Sequence, residues 1–345
     1  MKIGIIGGGQ LGQMLAMAAI PLGQQVICLE KTSDCPAGLV TDIFEATYDD
    51  VSKIKELSSK IDVITYEFEN ISVETLKAIE SHLPIYPPIK ALEVSQERVI
   101  EKTFFNRCKV PTVAFEAVNS EVDLLTAVKK IGLPGILKTC RLGYDGKGQF
   151  HLKEASDIPK SWKELGNQPL IYEERIEFDK EVSMIGVRGR GGQIAFYPLI
   201  ENHHKNGILN ISKAPYENEA LTSLAQCYTQ IILETLNYVG VLTVEFFVKA
   251  DQLYANEMAP RVHNSGHWTI EGAECSQFEN HIRAICNLPL GSTRAIGHAT
   301  MTNIIGELPD IKHVLATPGA HLHLYGKTPR KERKLGHITT ISIAA

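Results

Sequence analysis

Two acidic residues on neighbouring predicted strands are the clearest sign of chemistry in this sequence. Glu245 lies inside the apolar run 241–248, and Glu257 follows the run that begins at 253. The two runs predict a β-hairpin, and adjacent strands would bring both carboxylates together. Magnesium dehydrates reluctantly and is held by one or two carboxylates together with substrate phosphates. The spacing therefore predicts a magnesium site that also faces a polyphosphate.

A lysine and a glycine-rich loop point to the same kind of ligand. Lys138 ends the predicted strand 135–138. The loop after it contains Gly143, Tyr144, Asp145, Gly146, Lys147, Gly148 and Gln149. Glycine amides can cover a polyphosphate while Lys138 and Lys147 supply positive charge. No G-x-x-x-x-G-K-[ST] pattern occurs, so a P-loop is disfavoured.

Two further segments carry polar groups at the ends of apolar runs. Residues 261–268 read Arg-Val-His-Asn-Ser-Gly-His-Trp, and an arginine at the start suits bidentate contact with an anion. His263 and His267 stand four apart without the glutamate of a zinc-protease motif, so substrate contact is favoured over zinc. The segment Glu173, Glu174, Arg175 and Ile176 is compatible with a nucleobase edge, and Glu181 with a ribose. A surface charge cluster would give the same pattern.

The N-terminus carries a dinucleotide-like fingerprint. Gly7, Gly9 and Gly12 stand between a predicted strand and helix, and Glu30 ends the second strand. Glycines let the backbone approach an anion, and the amides of a helix N-terminus favour negative charge. A dinucleotide, another phosphate ester and a tight turn without a ligand all remain open on this pattern alone.

The predicted elements divide the chain into two kinds of fold. From the start to about residue 86, apolar strands alternate with helical patterns, including a last short strand at 83–86, which predicts a parallel sheet with helices on both faces. Pro87 and Pro88 close this unit, and a boundary is expected between 88 and 101. The remaining chain mixes antiparallel strands and helices, so the fold class is α/β followed by α+β.

Composition excludes several classes of protein. The chain has 345 residues, 44% of them hydrophobic, and a net charge of −5, which argues against nucleic acid as the main partner. No run approaches the ~18 apolar residues of a membrane-spanning helix. The seven cysteines form no C-x-x-C pair, which favours reduced thiols and a cytoplasmic protein.

Taken together, several motifs resemble one family. They are the Gly-Gly-Gly-Gln-Leu-Gly of 7–12, the loop 143–149, Val-Glu-Phe-Phe at 244–247, the segment 256–268 and Arg-Lys-Leu-Gly-His at 333–337. The chain resembles the N5-carboxyaminoimidazole ribonucleotide synthetases of the ATP-grasp superfamily, from residue 1 to about 340. The resemblance implies a Rossmann-like pre-ATP-grasp domain at 1–97, an ATP-grasp domain at 98–292 and a small β-rich C-terminal domain at 293–345.

The resemblance also implies a reaction and its residues. ATP, bicarbonate and 5-aminoimidazole ribonucleotide would react through carboxyphosphate, with two Mg²⁺ ions, or Mn²⁺ in their place. ATP would contact Arg98, Lys138, the loop 143–149, Glu173 to Ile176, Glu181, His204, Asn256 and Glu257. The ribonucleotide and bicarbonate would contact Gln10, Leu11, Glu67, Tyr144, Arg261, His263, Asn264, Ser265, Arg330, Arg333 and Lys334. Asp145 is the expected base for the amine, and Arg261 and Lys334 complete the catalytic set.

Partners and alternatives complete the expectation. The resemblance implies a homodimer and functional coupling to the mutase that acts next in the pathway. Because the chain ends at Ala345, where family members usually carry a further helical segment, we expect some exposed apolar surface near that end. A formate-dependent glycinamide ribonucleotide transformylase, an NAD(P)-dependent oxidoreductase and a non-catalytic nucleotide-binding regulator remain alternatives.

Overall fold

The N-terminal lobe is a parallel sheet covered by helices. In a computed structural model, which describes residues 1–143 and 147–342, four strands are ordered β3-β2-β1-β4. They are β1 (Lys2–Ile6), β2 (Gln25–Glu30), β3 (Asp42–Glu45) and β4 (Val63–Tyr66). Its helices are α1 (Gln10–Ala19), α2 (Val51–Ser58), α3 (Val73–Lys77) and α4 (Ile89–Ser95). The next helix, α5 (Arg98–Arg107), packs on α4 and on the later strand Gln252–Ala259. Two short 3-10 turns lie at Ile20–Leu22 and Pro36–Leu39.

Two details of this lobe differ from the sequence-based expectation. The strand predicted at 83–86 is reduced to a single parallel bridge between Ile64 and Ile85. Prolines at 84 and 87 lack the N–H that a longer ladder needs, which explains its brevity. The strand β3 was not predicted, because Asp42–Glu45 spans only four positions and its polar and apolar residues do not alternate.

The second lobe is a small antiparallel sheet that carries the glycine-rich loop. Its strands, in the order β5-β8-β6-β7, are β5 (Phe115–Val118), β6 (Gly135–Thr139), β7 (Gln149–Leu152) and β8 (Leu170–Glu174). Helices α6 (Glu121–Ile131) and α7 (Asp157–Leu165) pack on it, with a core that includes Leu124, Leu137 and Tyr172. Lys138 of β6 faces Gln149 of β7 in the ladder, so the loop 143–148 joins two adjacent strands as predicted.

The large sheet unites the rest of the described chain. Its strands are β9 (Lys180–Arg188), β10 (Ile194–Phe196), β11 (Ile200–Lys205), β12 (Ile208–Ala214), β13 (Gly240–Lys249), β14 (Gln252–Ala259), β15 (His298–Ile305), β16 (Ala320–Leu324) and β17 (Lys334–Ser342). They run in the order β14-β13-β9-β11-β12-β15-β17-β16, with β10 beside β9. Between them lie α8 (Glu219–Thr235), α9 (Thr269–Gly272), α10 (Gln277–Ile285), α11 (Ile311–Ala316) and a 3-10 turn at Asn264–Gly266.

Buried contacts tie the N-terminal lobe to the large sheet. One apolar cluster contains Leu15 of α1, Ile282 of α10 and Val241 of β13. Burying such side chains stabilises the fold by about 1.5–3 kcal/mol each. Within the described residues, no helix is long and apolar enough to cross a membrane.

Candidate active site

A cleft of about 460 Å³ lies where the lobes meet. Lys138 and Gln149 of the small sheet form one wall, and Glu181, Glu245 and Asn256 of the large sheet form another. The predicted site residues that line it are Gln10, Leu11, Arg98, Lys138, Gly143, Lys147, Gln149, Glu181, His204, Glu245, Asn256, Glu257, Arg261, His263, Asn264 and Lys334. A wider groove near Phe196 carries Arg294, which is already paired with Glu274.

The two carboxylates predicted to lie together are direct neighbours. Glu245 of β13 and Glu257 of β14 face each other in the antiparallel ladder. Glu245 Oε1 lies 3.0 Å from His263 Nε2, and Glu257 Oε2 lies 3.2 Å from an Arg98 guanidinium nitrogen. Burial raises the pKa of Glu245, but the hydrogen bond and charge of His263 outweigh it and hold the pKa at about 2. Glu245 therefore stays ionised, as a metal-binding carboxylate must.

Three cations converge beside these carboxylates. Lys138 Nζ lies 2.6 Å from Glu173 Oε2, and Lys102 Nζ lies 3.6 Å from the other oxygen of the same carboxylate. Burial raises the pKa of Glu173, but the two lysines lower it to about 2. Arg98 also donates to the carbonyl of Gly143 at 3.1 Å. This end of the cleft therefore has fixed positive charge suited to phosphate oxygens.

A second ion pair crosses the cleft between lobes. Arg261 Nε lies 2.5 Å from Glu69 Oε2, which follows β4 in the N-terminal lobe. The guanidinium also donates to the carbonyl of Val262, at 3.1 Å.

A histidine and a glutamate pair on adjacent strands of the large sheet. His204 Nδ1 of β11 lies 2.7 Å from Glu181 Oε2 of β9. Burial lowers the pKa of His204, but its bond to Glu181 raises it overall.

Comparison with known proteins identifies the family to which this chain belongs. Three family models match in sequence: a ribonucleotide synthetase preATP-grasp domain at 1–96, an ATP-grasp domain at 103–278, and a phosphoribosylaminoimidazole carboxylase C-terminal domain at 299–344. The N5-carboxyaminoimidazole ribonucleotide synthase of Pseudomonas aeruginosa is 47% identical over 98% of this chain and 94% of its own length. The chain belongs to the N5-carboxyaminoimidazole ribonucleotide synthase family.

Solved structures of the synthase family agree in fold. The N5-carboxyaminoimidazole ribonucleotide synthetase of Thermus thermophilus has a TM-score of 0.95 and 48% identity, covering 99% of this chain and 94% of that one. The synthase of Aspergillus clavatus, in complex with ADP and 5-aminoimidazole ribonucleotide, has a TM-score of 0.92 and 30% identity, with 99% and 93% coverage. The predicted family, the fold class and the enzyme class of an ATP-grasp ligase are therefore confirmed.

The glycine turn of this chain is closed by the protein's own carboxylates. Glu67 accepts the amides of Gly9 at 2.5 Å and Gly12 at 2.6 Å, and Glu30 accepts the amide of Gly8 at 3.0 Å. Each of these three amides therefore has a partner within the protein, as in the reading of a tight turn without a ligand. A Cβ on Gly9 would lie 2.5 Å from Glu67 Oε1, so the glycine is needed for an internal contact.

Glu67, which was predicted to contact the substrate, does not line the cleft. It is only 8% exposed, and burial raises its pKa although the two amides lower it. Glu69, two residues later, lines the cleft instead. Within a strand, residues two apart share a face, but both glutamates lie beyond the end of β4, where that rule no longer applies. Sequence spacing therefore did not separate the two glutamates.

Several other predicted site residues lie away from the cleft lining. The amides of Glu174 and Arg175 already donate to the carbonyls of Ala114 and Pro134. Ser265 is fully buried, and its hydroxyl lies 2.8 Å from His263 Nδ1, so it contacts a cleft residue from behind. The predicted residues outside the lining are Glu67, Gly148, Glu173, Glu174, Arg175, Ile176, Ser265, Arg330 and Arg333. Tyr144, Asp145 and Gly146 lie outside the described residues.

The fold also brings to the site residues that the sequence did not predict there. Lys102 stands four positions after Arg98 on α5, so helical spacing was an available signal. Phe178 and Phe247 stack at 4.7 Å between ring centroids and line the cleft, where an aromatic ring face suits a flat base. Asn303 pairs with Asn264 across 39 positions of sequence, and no local pattern indicates this contact.

Proposed function

We infer that the chain carboxylates 5-aminoimidazole ribonucleotide with ATP and bicarbonate. The products are N5-carboxyaminoimidazole ribonucleotide, ADP and phosphate, and the reaction belongs to purine biosynthesis. The observation that carries this inference is 47% identity over 98% of the chain to a synthase of that name. A relative bound to ADP and 5-aminoimidazole ribonucleotide supports the choice of small-molecule substrates.

The first step would be phosphoryl transfer from ATP to bicarbonate. A bicarbonate oxygen attacks the γ-phosphorus, and the bond from that phosphorus to the ADP oxygen breaks, which yields carboxyphosphate. This step needs positioning and charge neutralisation more than covalent help from the protein. Lys138 and Arg98 would hold the ATP phosphates, and Arg261 would hold bicarbonate through bidentate contacts. The ion pair between Arg261 and Glu69 supports this role, since it fixes the guanidinium in the cleft.

Mg²⁺ fits the carboxylates that the cleft contains. Glu245 and Glu257 are cross-strand neighbours, and Glu245 is held ionised by its surroundings. The described residues contain no group of three or more His, Cys, Asp or Glu side chains arranged for a metal, so phosphate oxygens would have to supply further ligands. Bound there, Mg²⁺ would neutralise charge on the transferring phosphoryl group.

The second step would join carbon dioxide to the amine of the ribonucleotide. Carboxyphosphate breaks into phosphate and carbon dioxide, the amine nitrogen attacks the carbon, and a base removes one amine proton. We propose Asp145 as that base, and the loop 143–149 as the cover that excludes water. Gln10, Leu11, His263 and Asn264 would contact the ribonucleotide. The cations Lys334, Arg330 and Arg333 would attract its phosphate.

Substrate omission tests this function directly. Purified protein should release ADP fastest when ATP, bicarbonate and 5-aminoimidazole ribonucleotide are all present, and omission of any one should reduce the rate. An ADP rate that does not respond to bicarbonate and the ribonucleotide would overturn the proposal. Formate with glycinamide ribonucleotide should not replace them. Asp145→Asn should lose carboxylation, whereas a variant with full activity would remove Asp145 as the base.

Organisation and location are proposals of the same kind. We propose domains at 1–97, 98–292 and 293–345, which the family-model matches at 1–96, 103–278 and 299–344 support. The homodimer and the coupling to the mutase rest on the family resemblance, and light scattering with and without the mutase tests both. The seven unpaired cysteines support a cytoplasmic location.

A further inference from the structure

Asn264 reaches the cleft from a turn whose orientation depends on another strand. It begins the 3-10 turn Asn264–Gly266 and lies directly after His263, which contacts Glu245. Its carboxamide has two donor hydrogens and an acceptor oxygen, so it can meet a ligand in two opposite orientations. The group that fixes the orientation of the Asn264 carboxamide therefore determines where Asn264 presents a donor and where it presents an acceptor to a ligand.

Asn303 holds that carboxamide by both ends. Asn264 Nδ2 donates to Asn303 Oδ1 at 3.0 Å, and Asn303 Nδ2 donates to Asn264 Oδ1 at 2.6 Å. Asn303 is 5% exposed on β15 and does not line the cleft. It therefore contacts a cleft residue without being exposed to a ligand.

A backbone carbonyl sets the orientation of Asn303 itself. Asn303 Nδ2 also donates to the carbonyl oxygen of Leu209 on β12, at 2.9 Å. A carbonyl oxygen can only accept, so the amide end of Asn303 must face Leu209. Asn303 Oδ1 then faces the amide of Asn264, and one orientation of both side chains satisfies every group. Asn264 retains one N–H and an acceptor lone pair for a ligand.

We propose that Asn303 is a positioning residue for the ribonucleotide substrate. It acts by fixing the carboxamide of Asn264, and Asn264 makes the contact with the substrate. The proposal rests on the proposed function and extends it to a residue behind the cleft wall. The ATP phosphates would bind at Lys138 and Arg98 on the other side of the cleft, so ATP binding should not depend on Asn303.

Steady-state kinetics of Asn303→Ala test the proposal. The variant should raise the KM for 5-aminoimidazole ribonucleotide about tenfold, the worth of a hydrogen bond made by a fixed donor. The KM for ATP should stay unchanged. Asn303→Asp should have a similar effect, because an ionised carboxylate cannot donate to Leu209. Thr302→Ala, at the neighbouring position of the same strand, is the matched control and should keep both KM values.

A double-mutant cycle separates positioning from a general loss of structure. If Asn303 acts through Asn264, then Asn303→Ala should have no further effect on the ribonucleotide KM in an Asn264→Ala background. Multiplicative effects, equal increases in both KM values, or an unchanged ribonucleotide KM would each overturn the proposal. A wild-type protein without ribonucleotide-dependent ADP release would instead refute the proposed function.

Discussion

Acidification is expected to weaken the junction between the N-terminal lobe and the large sheet through one histidine. His281 of α10 is fully buried, and its Nδ1 accepts the amide of Val241 at 3.1 Å. Its Nε2 lies 2.8 Å from the hydroxyl of Thr65 on β4. Because Nδ1 accepts, Nε2 carries the proton and donates to the hydroxyl. The imidazole must be neutral, and burial lowers its pKa to about 3.

The size of the effect on the free energy of unfolding follows from how far, and in which direction, folding shifts the pKa of His281. The folded-state pKa lies below the value of 6.5 expected in the unfolded chain, so the folded protein binds the proton less tightly. The contribution of the neutral His281 to the free energy of unfolding is complete above pH 6.5 and is lost as the pH falls towards 3. Between about pH 7.5 and about pH 5, His281 should lower the free energy of unfolding by about 2 kcal/mol.

Urea denaturation of wild type and His281→Gln measures this contribution. The variant should be less stable by about 1–3 kcal/mol at about pH 7.5, because the amide of Val241 loses its partner. The gap should shrink by about 2 kcal/mol at about pH 5, since glutamine does not titrate. Tryptophan fluorescence reports the transition, as Trp268 is fully buried. The exposed control His82→Gln should keep the wild-type pH dependence, and an equal gap at both pH values would refute the reasoning.

Three further substitutions test other contacts. Glu67→Ala should lower the free energy of unfolding by about 1–3 kcal/mol for each of the two buried amides left unpaired, measured in urea, with Glu67→Gln intermediate. Glu173→Gln should destabilise by about 3–5 kcal/mol because Lys102 becomes an uncompensated buried charge, whereas the exposed Glu174→Gln should match wild type. Phe247→Ala should raise the KM for ATP about tenfold with little change in kcat, since stacking contributes equally before and during the reaction.

Local sequence patterns predicted the part of the site that lies on strands adjacent in sequence. Glu245 and Glu257 could be paired because a short turn joins their strands, and the ladder then leaves few choices of register. Lys138 and the loop after it could be placed for the same reason. Arg261 follows Glu257 closely, so its approach to the same cleft needed no long-range information.

Contacts between distant segments could not be predicted in this way. Asn303 meets Asn264 because β15 lies beside β12 in the sheet and the turn that carries Asn264 packs on β12. Local periodicity in a sequence does not determine strand order. Glu173 was predicted to contact the nucleobase of ATP, but its carboxylate pairs with Lys102 and Lys138. This contact depends on how α5, β6 and β8 pack together. Glu67 points towards the glycine turn and Glu69 into the cleft, and sequence spacing does not determine these directions.

The contact between Glu67 and the glycine turn implies that these positions constrain one another during divergence. An added methyl group at Gly9 would collide with the glutamate, so the change is tolerated only if the carboxylate withdraws. Gly7, whose φ is +108°, is needed wherever the carboxylate lies. Loss of the glutamate would in turn relax the need for glycine at position 9 while leaving the amides of Gly9 and Gly12 unpaired. We therefore expect substitutions at these positions to show strong epistasis and to change together among related sequences. In this chain the glycine fingerprint therefore serves an internal carboxylate, and the pattern alone does not indicate a dinucleotide.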